Sequence, residues 1–382
     1  MNGMQLTAQL GLSATDEQID SLKRTLQLAN TACNWLSDVG WNSKAFNKFA
    51  LQKLAYHECR AMFSALSSQI IVRCIGKVAD AYKIDKKIKR EFSLTGAVAY
   101  DARVLSFNLD KSIVSIWTVD GRIKIDYVSG DRQKELLLGK RGESDLCYVD
   151  GRFYLYVACT VEEPTTRDVK DFIGVDMGIV NIATDSDGES HSGKAVEKAR
   201  KKYLNRRARL QHKGTKSAKR KLRQIKSKQS RYQKNENHRI SKTIVRKAND
   251  TGRGIAIEEL DGIRERVTVR PTQRGRHSNW SFADLRSKIE YKAKLNGVPV
   301  EAVDPRNTSK TCNVCGHCEK GNRKTQEHFV CKSCGHAENA DVNAARNIRA
   351  KAAINRPNVA AMQQGGTSVS VATSPAPLGR GC

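Results

Sequence analysis

The chain has 382 residues, 39% of them apolar and 6% aromatic, enough at roughly 150 residues per domain for two or three domains with real cores. Lys and Arg number 67 against 40 Asp and Glu, a net charge of +27, so a polyanionic partner is expected. No run reaches the ~18 apolar residues of a membrane-spanning helix, and the polar opening MNGMQLTAQLGLS has no basic stretch followed by an apolar core. Membrane and secretory routing are therefore not expected, and a cytoplasmic protein is. Eleven cysteines, five of them between Cys312 and Cys334, make a poor disulfide framework and suit a reducing compartment with one metal site.

In chain order, Gln5 to Leu10 reads as a short strand. Leu22, Leu26, Ala29, Cys33 and Leu36 recur at spacings of three and four and predict an amphipathic helix over 15–39, with Asp16 near its cap. A second helical region covers about 42–82, and residues 15–90 together read as a small helical bundle. From Phe92 to Glu163 come six short runs: LTGAVAY, VLSFNLD, SIVSIW, RIKIDYV, DLCYVD and RFYLYVACTV. Their spacing predicts a small antiparallel barrel or sandwich, completed by the first strand, with the bundle inserted in it.

Pro164 opens a linker, and FIGVDMGIV from Phe172 is apolar throughout, as in a strand buried on both faces of an α/β sheet. Lys194 to Asn249 then holds 22 Lys or Arg against two acidic residues, a net +20 and so three quarters of the excess charge. Its composition predicts basic helices broken near Gly214. Mutual repulsion at this density favours a phosphate-binding surface over a merely solvated face. A strand (Gly254 to Leu260), an Arg-rich loop, a helix (Asn279 to Asn296), a strand (Val298 to Val303), the cysteine cluster and a helix from about Asp341 follow. Arg270, Arg274, Arg276 and Trp280 read as nucleic-acid contacts or, for Trp280 with Phe282, as core anchors. Residues 355–382 are small and polar and are expected to be disordered.

The strongest local signal is Cys312-x2-Cys315 followed by Cys331-x2-Cys334, each pair with a Gly after it (Gly316, Gly335). A glycine there admits the positive φ that turns backbone amides toward thiolates, and four thiolates predict a closed, structural Zn2+ site. His317, Cys318 and His336 do not fit the paired spacing. Few apolar residues lie within the ribbon, so the metal would supply most of its folding free energy, on the order of 10 kcal/mol.

Three carboxylates carry the chemistry. Asp176 stands inside an apolar strand, where an unpaired charge is costly, and period two puts Gly174 and Gly178 on its face, which predicts open space above it. On GIAIEEL, Glu258 shares a face with Ala256, whereas Glu259 shares one with Ile255 and Ile257. Asp341, Ala345, Ile348 and Ala352 form one helical stripe, which puts Asp341 in the first turn of a helix packed on the sheet; alone it also reads as an ordinary N-terminal helix acid. Converging, the three would make an all-oxygen site for two Mg2+ or Mn2+ ions, suited to phosphodiester hydrolysis. GVDMG also opens actin-like phosphotransferases, but the later Gly-rich phosphate loops of that class are not found.

The order GVDMG, basic segment, IAIEEL, VDPRNTSKTCNVCGH, FVCKSCGH, NADVNAARNI resembles the TnpB family of transposon-encoded RNA-guided DNA endonucleases, relatives of the type V CRISPR effectors, over about 170–350. The resemblance implies a multidomain α/β plus all-β architecture. An RNase H-like, RuvC-type nuclease domain (171–311 and 335–354, including basic helices in 194–249) would carry an inserted four-cysteine zinc ribbon (312–334). A wedge β-barrel (1–14 and 91–168) with a helical recognition insertion (15–90) would precede it. Asp176, Glu258 and Asp341 match the family's catalytic acids. The implied partners are a guide RNA from the protein's own element and double-stranded target DNA with a short adjacent motif, bound by a monomer or weak dimer. Gln69, Arg73 and Lys77 are the expected contacts to that motif. Lys201, Lys202, Arg206, Arg207, Lys219, Arg220, Lys221 and Arg223 are expected on nucleic-acid backbone. Two other readings stay open: a nuclease-inactive guided repressor and a strand-transfer transposase.

Overall fold

The computed structural model describes residues 3–259, 282–325 and 327–355; Arg270, Arg274, Arg276, Trp280 and the tail from 356 lie outside the described residues. The chain divides between Glu163 and Pro164 into two compact units.

In the first unit, strand β1 (Gly3–Ser13) leads to helices α1 (Asp16–Asn42), α2 (Lys48–Met62) and α3 (Ser68–Ile84). Thr15, not Asp16, caps α1, in a capping box with Gln18. The helical region beyond α1 is two helices, because Phe63–Ser67 breaks it and Ser67 caps the second. Then come β2 (Val98–Tyr100), β3 (Leu105–Asn108), β4 (Ile113–Thr118), β5 (Gly121–Val128), the short helix α4 (Asp131–Leu138), β6 (Lys140–Val149) and β7 (Arg152–Glu162). The strands form one antiparallel sheet in the order β2-β6-β7-β1-β5-β4-β3. The Tyr100 hydroxyl of edge strand β2 donates to the Trp117 carbonyl of β4 (3.1 Å), nearly closing the sheet on itself. Sheet and helices share a single core, in which Ala8, Leu10, Leu155 and Val157 join Leu26, Leu36, Ile71 and Ile75. Helix α4 departs from the expected run of strands; it is one short segment between Gly130 and Gly139 that buries only Leu137.

The second unit is built on β8 (Phe172–Asp176), β9 (Asn181–Asp185), β10 (Ser190–Ser192), α5 (Lys194–Lys213), α6 (Lys216–Asp250), β11 (Gly254–Glu258), α7 (Phe282–Leu295) and β12 (Val300–Val303). The cysteine ribbon with β13 (His328–Val330) and β14 (Ala337–Asn339) follows, and α8 (Ala340–Asn355) ends the described chain. The sheet runs β10-β9-β8-β11-β12; β8, β11 and β12 are parallel and β9 is antiparallel to β8. On one face Ile173, Val175, Ile255 and Ile257 pack with Ile240 and Ile244 of α6 and Leu285 and Ile289 of α7. On the other, Phe172, Ala256 and Val303 pack with Ile348 and Ala352 of α8. Both faces are covered, which accounts for the continuous apolar runs.

Candidate functional site

The pleat decides where the acids point. Ala256 faces α8, so Glu258, two residues on, faces α8 at the carboxyl end of β11. Val175 and Ile257 are register partners, so Asp176 and Glu258 leave adjacent parallel strands at the same level. Gly174 corrects one expectation: the space above it is filled. A β-carbon there would lie 2.0 Å from the Ala345 carbonyl oxygen of α8. The glycine admits the helix backbone against the strand, and Asp341, one turn before Ala345, is thereby carried to the end of β8 that bears Asp176. At the other end of β8, Asp171 accepts from Arg349 of α8 at 2.7 and 2.8 Å.

Burial and neighbouring charge act together on these carboxyls. Burial, followed by the charges of Glu258 and Asp341, pushes the Asp176 carboxyl up to about 7. Burial also raises Glu258, against the lowering effect of a hydrogen bond from the Thr308 hydroxyl (2.6 Å). Asp341 is buried and holds two donors, Asn181 Nδ2 on one oxygen and Arg323 Nη2 on the other, both at 3.0 Å. Glu259 points to the opposite face, where Arg286 of α7 grips it.

The ribbon brings its four sulfurs together. Cys312 and Cys334 lie 3.7 Å apart and Cys315 and Cys331 3.5 Å, close to the ~3.8 Å edge of a tetrahedron with Zn–S bonds near 2.3 Å. Gly316 and Gly335 have φ of 77° and 71°, as the spacing predicts. The Cys334 backbone N–H, aimed at the Cys331 sulfur, is the main reason the Cys331 thiol is lowered to about 6. His317 and His336 use their carbonyls to close the two knuckles, and their rings rest against Glu319 and Glu338. Among the described residues the apolar core of the ribbon is Cys312, Phe329, Cys331 and Ala340, so the cluster fits a structural zinc on which the ribbon depends. Among the described residues only these four cysteines place their ligand atoms all within 4.8 Å of one another; the three acids stand more openly.

Residues 156–261 match the family model described as OrfB_IS605, probable transposase, and residues 282–348 match the Cas12f1-like TNB domain. The chain is similar in sequence to TnpB-like and Cas12f proteins. It is 33% identical over 216 residues to the CRISPR-associated endodeoxyribonuclease Cas12f1 of Sulfoacidibacillus thermotolerans, covering 52% of this chain and 50% of that protein. It is 30% identical over 220 residues to the putative RNA-guided DNA endonuclease InsQ of Escherichia coli K12, covering 52% and 54%. A TnpB-like protein of Methanocaldococcus jannaschii is 38% identical over 112 residues, covering 29% and 40%. These matches span about half the length of the relatives or less. The fold resembles that in a cryo-EM structure of a Cas12f1–sgRNA–target DNA complex, with a TM-score of 0.59 at 18% identity over 88% of this chain and 83% of that one.

As its composition predicts, the basic segment is helical and breaks at Gly214. Helices α5 and α6 pack on each other, α6 burying Ala218 and Ile225, and α6, 35 residues long, extends about 52 Å. Lys201, Lys202, Arg206, Lys219, Arg220, Lys221 and Arg223 are exposed and Arg207 half-buried. The far end of α6 is different: Ile240, Ile244 and Ala248 are core, and Lys247 pairs with Asp185, Asp187 and Glu189. Gln69, Arg73 and Lys77 are engaged within the first unit. Gln69 and Arg73 bond Asp101, Arg73 also bonds Glu143, and Lys77 donates to Asn30 and the Ala97 carbonyl, both at 2.7 Å.

Sequence reasoning missed Arg323, Asn181 and Thr308. Arg323 lies in KGNRKTQ, which reads as surface charge, and Asn181 at a strand start, which reads as a turn residue. The usable signal was the pair Asn343 and Asn347, two polar residues one turn apart on the buried side of α8.

Proposed function

We propose that this chain is an RNA-guided DNA endonuclease of a transposable element: it binds a guide RNA and hydrolyses phosphodiester bonds in matching DNA beside a short recognised motif. The observation that carries the reading is geometric: Asp176 and Glu258 leave adjacent parallel strands at the same level, and α8, packed on Gly174, brings Asp341 to that end of β8. The donor set fits a hard cation. It is all oxygen, and burial first, then the neighbouring acids, raises the Asp176 carboxyl, a cost that a bound cation would offset. We read the five-stranded unit as an RNase H-like, RuvC-type domain, with Asp176, Glu258 and Asp341 holding two Mg2+ or Mn2+.

When bound, such ions supply positive charge to the attacking and leaving oxygens of the phosphodiester. The chain's own residues do the rest. Arg323 and Asn181 fix the two oxygens of Asp341, Thr308 fixes one oxygen of Glu258, and apolar packing on both sheet faces keeps the strand ends in place. Water adds at phosphorus and the 3′ oxygen leaves with a proton, giving 5′-phosphate and 3′-hydroxyl ends. The exposed cations of α5 and the first half of α6 would track the RNA or DNA backbone without reading sequence, leaving specificity to base pairing. Contact of Gln69, Arg73 and Lys77 with the adjacent motif would require them to exchange their internal partners for DNA.

The test is to express the chain with the RNA flanking its gene, sequence the RNA that copurifies, and offer DNA matching it in Mg2+. Cutting to unjoined 5′-phosphate and 3′-hydroxyl ends is expected. Joined strands would support the transposase reading that the OrfB_IS605 description favours, and tight binding without cutting in any divalent metal would support the repressor.

A further inference from the structure

The segment between β12 and the first zinc knuckle is held in an unusual way. Thr308 is buried, and its hydroxyl lies 2.6 Å from Glu258 Oε1 and 3.0 Å from the Pro305 carbonyl. One proton serves one acceptor at a time, and the shorter contact is to the carboxylate. The Thr308 carbonyl accepts from Asn347 Nδ2 of α8 (2.8 Å), and the same amide donates to the Thr311 carbonyl (2.7 Å). One turn earlier, Asn343 Nδ2 also donates to the Thr311 carbonyl (2.8 Å), while its Oδ1 accepts from the Asn313 N–H (3.1 Å). Asn343 is fully buried and Asn347 nearly so. Thr311 and Asn313 flank the zinc ligand Cys312.

We propose that Thr308 is a positioning residue for Glu258, and that Asn343 and Asn347 couple its placement to the first zinc knuckle. The chain of bonds runs from Glu258 through Thr308 and the two asparagines to the backbone on either side of Cys312. Two buried asparagines in a helix interior lose helix propensity and must have their amides satisfied, so their presence has a cost that apolar residues would not. What they secure is the 308–313 backbone against the helix that also carries Asp341. Holding Glu258 Oε1 through Thr308 restricts how the carboxylate can turn, so the hydroxyl selects a single orientation of it.

The inference rests on the metal-binding reading of the three acids, and the test separates the two. Full-length, zinc-loaded protein is titrated with Mn2+ by calorimetry, as wild type, Thr308→Val and Thr308→Ser, and the same proteins loaded with guide RNA are assayed for single-turnover cutting at limiting Mn2+. Val keeps the shape and removes the hydroxyl; Ser keeps the hydroxyl. Loss of an orienting partner of this kind lowers metal affinity or rate about 10- to 100-fold. Thr308→Val is expected to weaken Mn2+ binding and to slow cutting by about tenfold or more, with RNA affinity within about twofold of wild type. Thr308→Ser is expected to restore both to within about threefold. Wild-type binding that is unchanged in Thr308→Val, or a Thr308→Ser protein as impaired as Thr308→Val, overturns the positioning role alone. Absence of Mn2+ binding by the wild type overturns the metal reading and the positioning role with it.

Discussion

The four cysteines and the three proposed metal-binding acids of the second unit are assembled in opposite ways. The four cysteines come from one short stretch, two knuckles of the same design, and close to within 4.8 Å. The three acids come from two strands and a helix, with Asp176 and Asp341 separated by 165 positions, and they stay open, with Asp341 and Glu258 held from behind by Arg323, Asn181 and Thr308. A closed sulfur shell has no place for a substrate atom, whereas an open oxygen shell does. The comparison teaches that closure tells a structural site from a reactive one. Ala340 of the ribbon core also starts the helix that carries Asp341, so the two clusters share one element.

Removing an acid is expected to have the largest effect. Glu258→Gln or Asp341→Asn should lower single-turnover cutting about a thousandfold or more while guide-RNA affinity stays near wild type. Comparable cutting by either variant would remove that acid from the reaction. Next comes the dependence of one cluster on the other: a zinc-selective chelator, with Mg2+ kept in excess, should slow cutting at least about tenfold by loosening the start of α8. Full activity in protein shown to be zinc-free would make the clusters independent.

The pH dependence of stability sharpens the contrast further. Asp176 titrates near 7 in the folded chain and near ~3.9 unfolded, so between these values the folded state holds the extra proton. The contribution of Asp176 to the stability of zinc-loaded, Mg2+-free protein should therefore fall as pH rises from about 4 to 7, and its loss should be complete above that. Asp176→Asn should recover it, by at most about 4 kcal/mol at pH 8 and by little at pH 4, in denaturant melts. A variant no more stable at pH 8 than wild type would mean that the carboxyl is not under this strain. The smallest effect is expected on the basic hairpin. Neutralising Lys219, Arg220, Lys221 and Arg223 should flatten the salt dependence of RNA binding by up to about 0.7–0.9 per lost phosphate contact. An unchanged slope would place the guide on another surface.

The same contrast explains what the sequence alone made legible. The cysteine spacing needed no tertiary knowledge, since both knuckles close locally. Asp176 stood out because a carboxyl in an apolar strand demands compensation, and the choice of Glu258 over Glu259 followed from period two; Arg286 on the opposite face explains how Glu259 is accommodated. Gly174 was misread because its neighbour, Ala345, lies far along the chain and offers only backbone, which carries no residue signature. Arg323 was invisible for a related reason: its partner is fixed by how the ribbon folds back on α8, not by anything adjacent. The basic run was legible as charge and as helix, but not in its division into an exposed half and a core half. That division turns on a few apolar residues, Ile240, Ile244 and Ala248, set among cations. Helix α4 escaped notice because eight residues burying one leucine leave almost no periodic pattern.

The most direct measurement is to locate metal in crystals of the full chain grown with zinc and soaked in Mn2+, using anomalous scattering to tell the two elements apart. The account predicts manganese bound by carboxylate oxygens of Asp176, Glu258 and Asp341, and zinc among the four sulfurs. Manganese bound elsewhere, with those three side chains left uncoordinated, would contradict it.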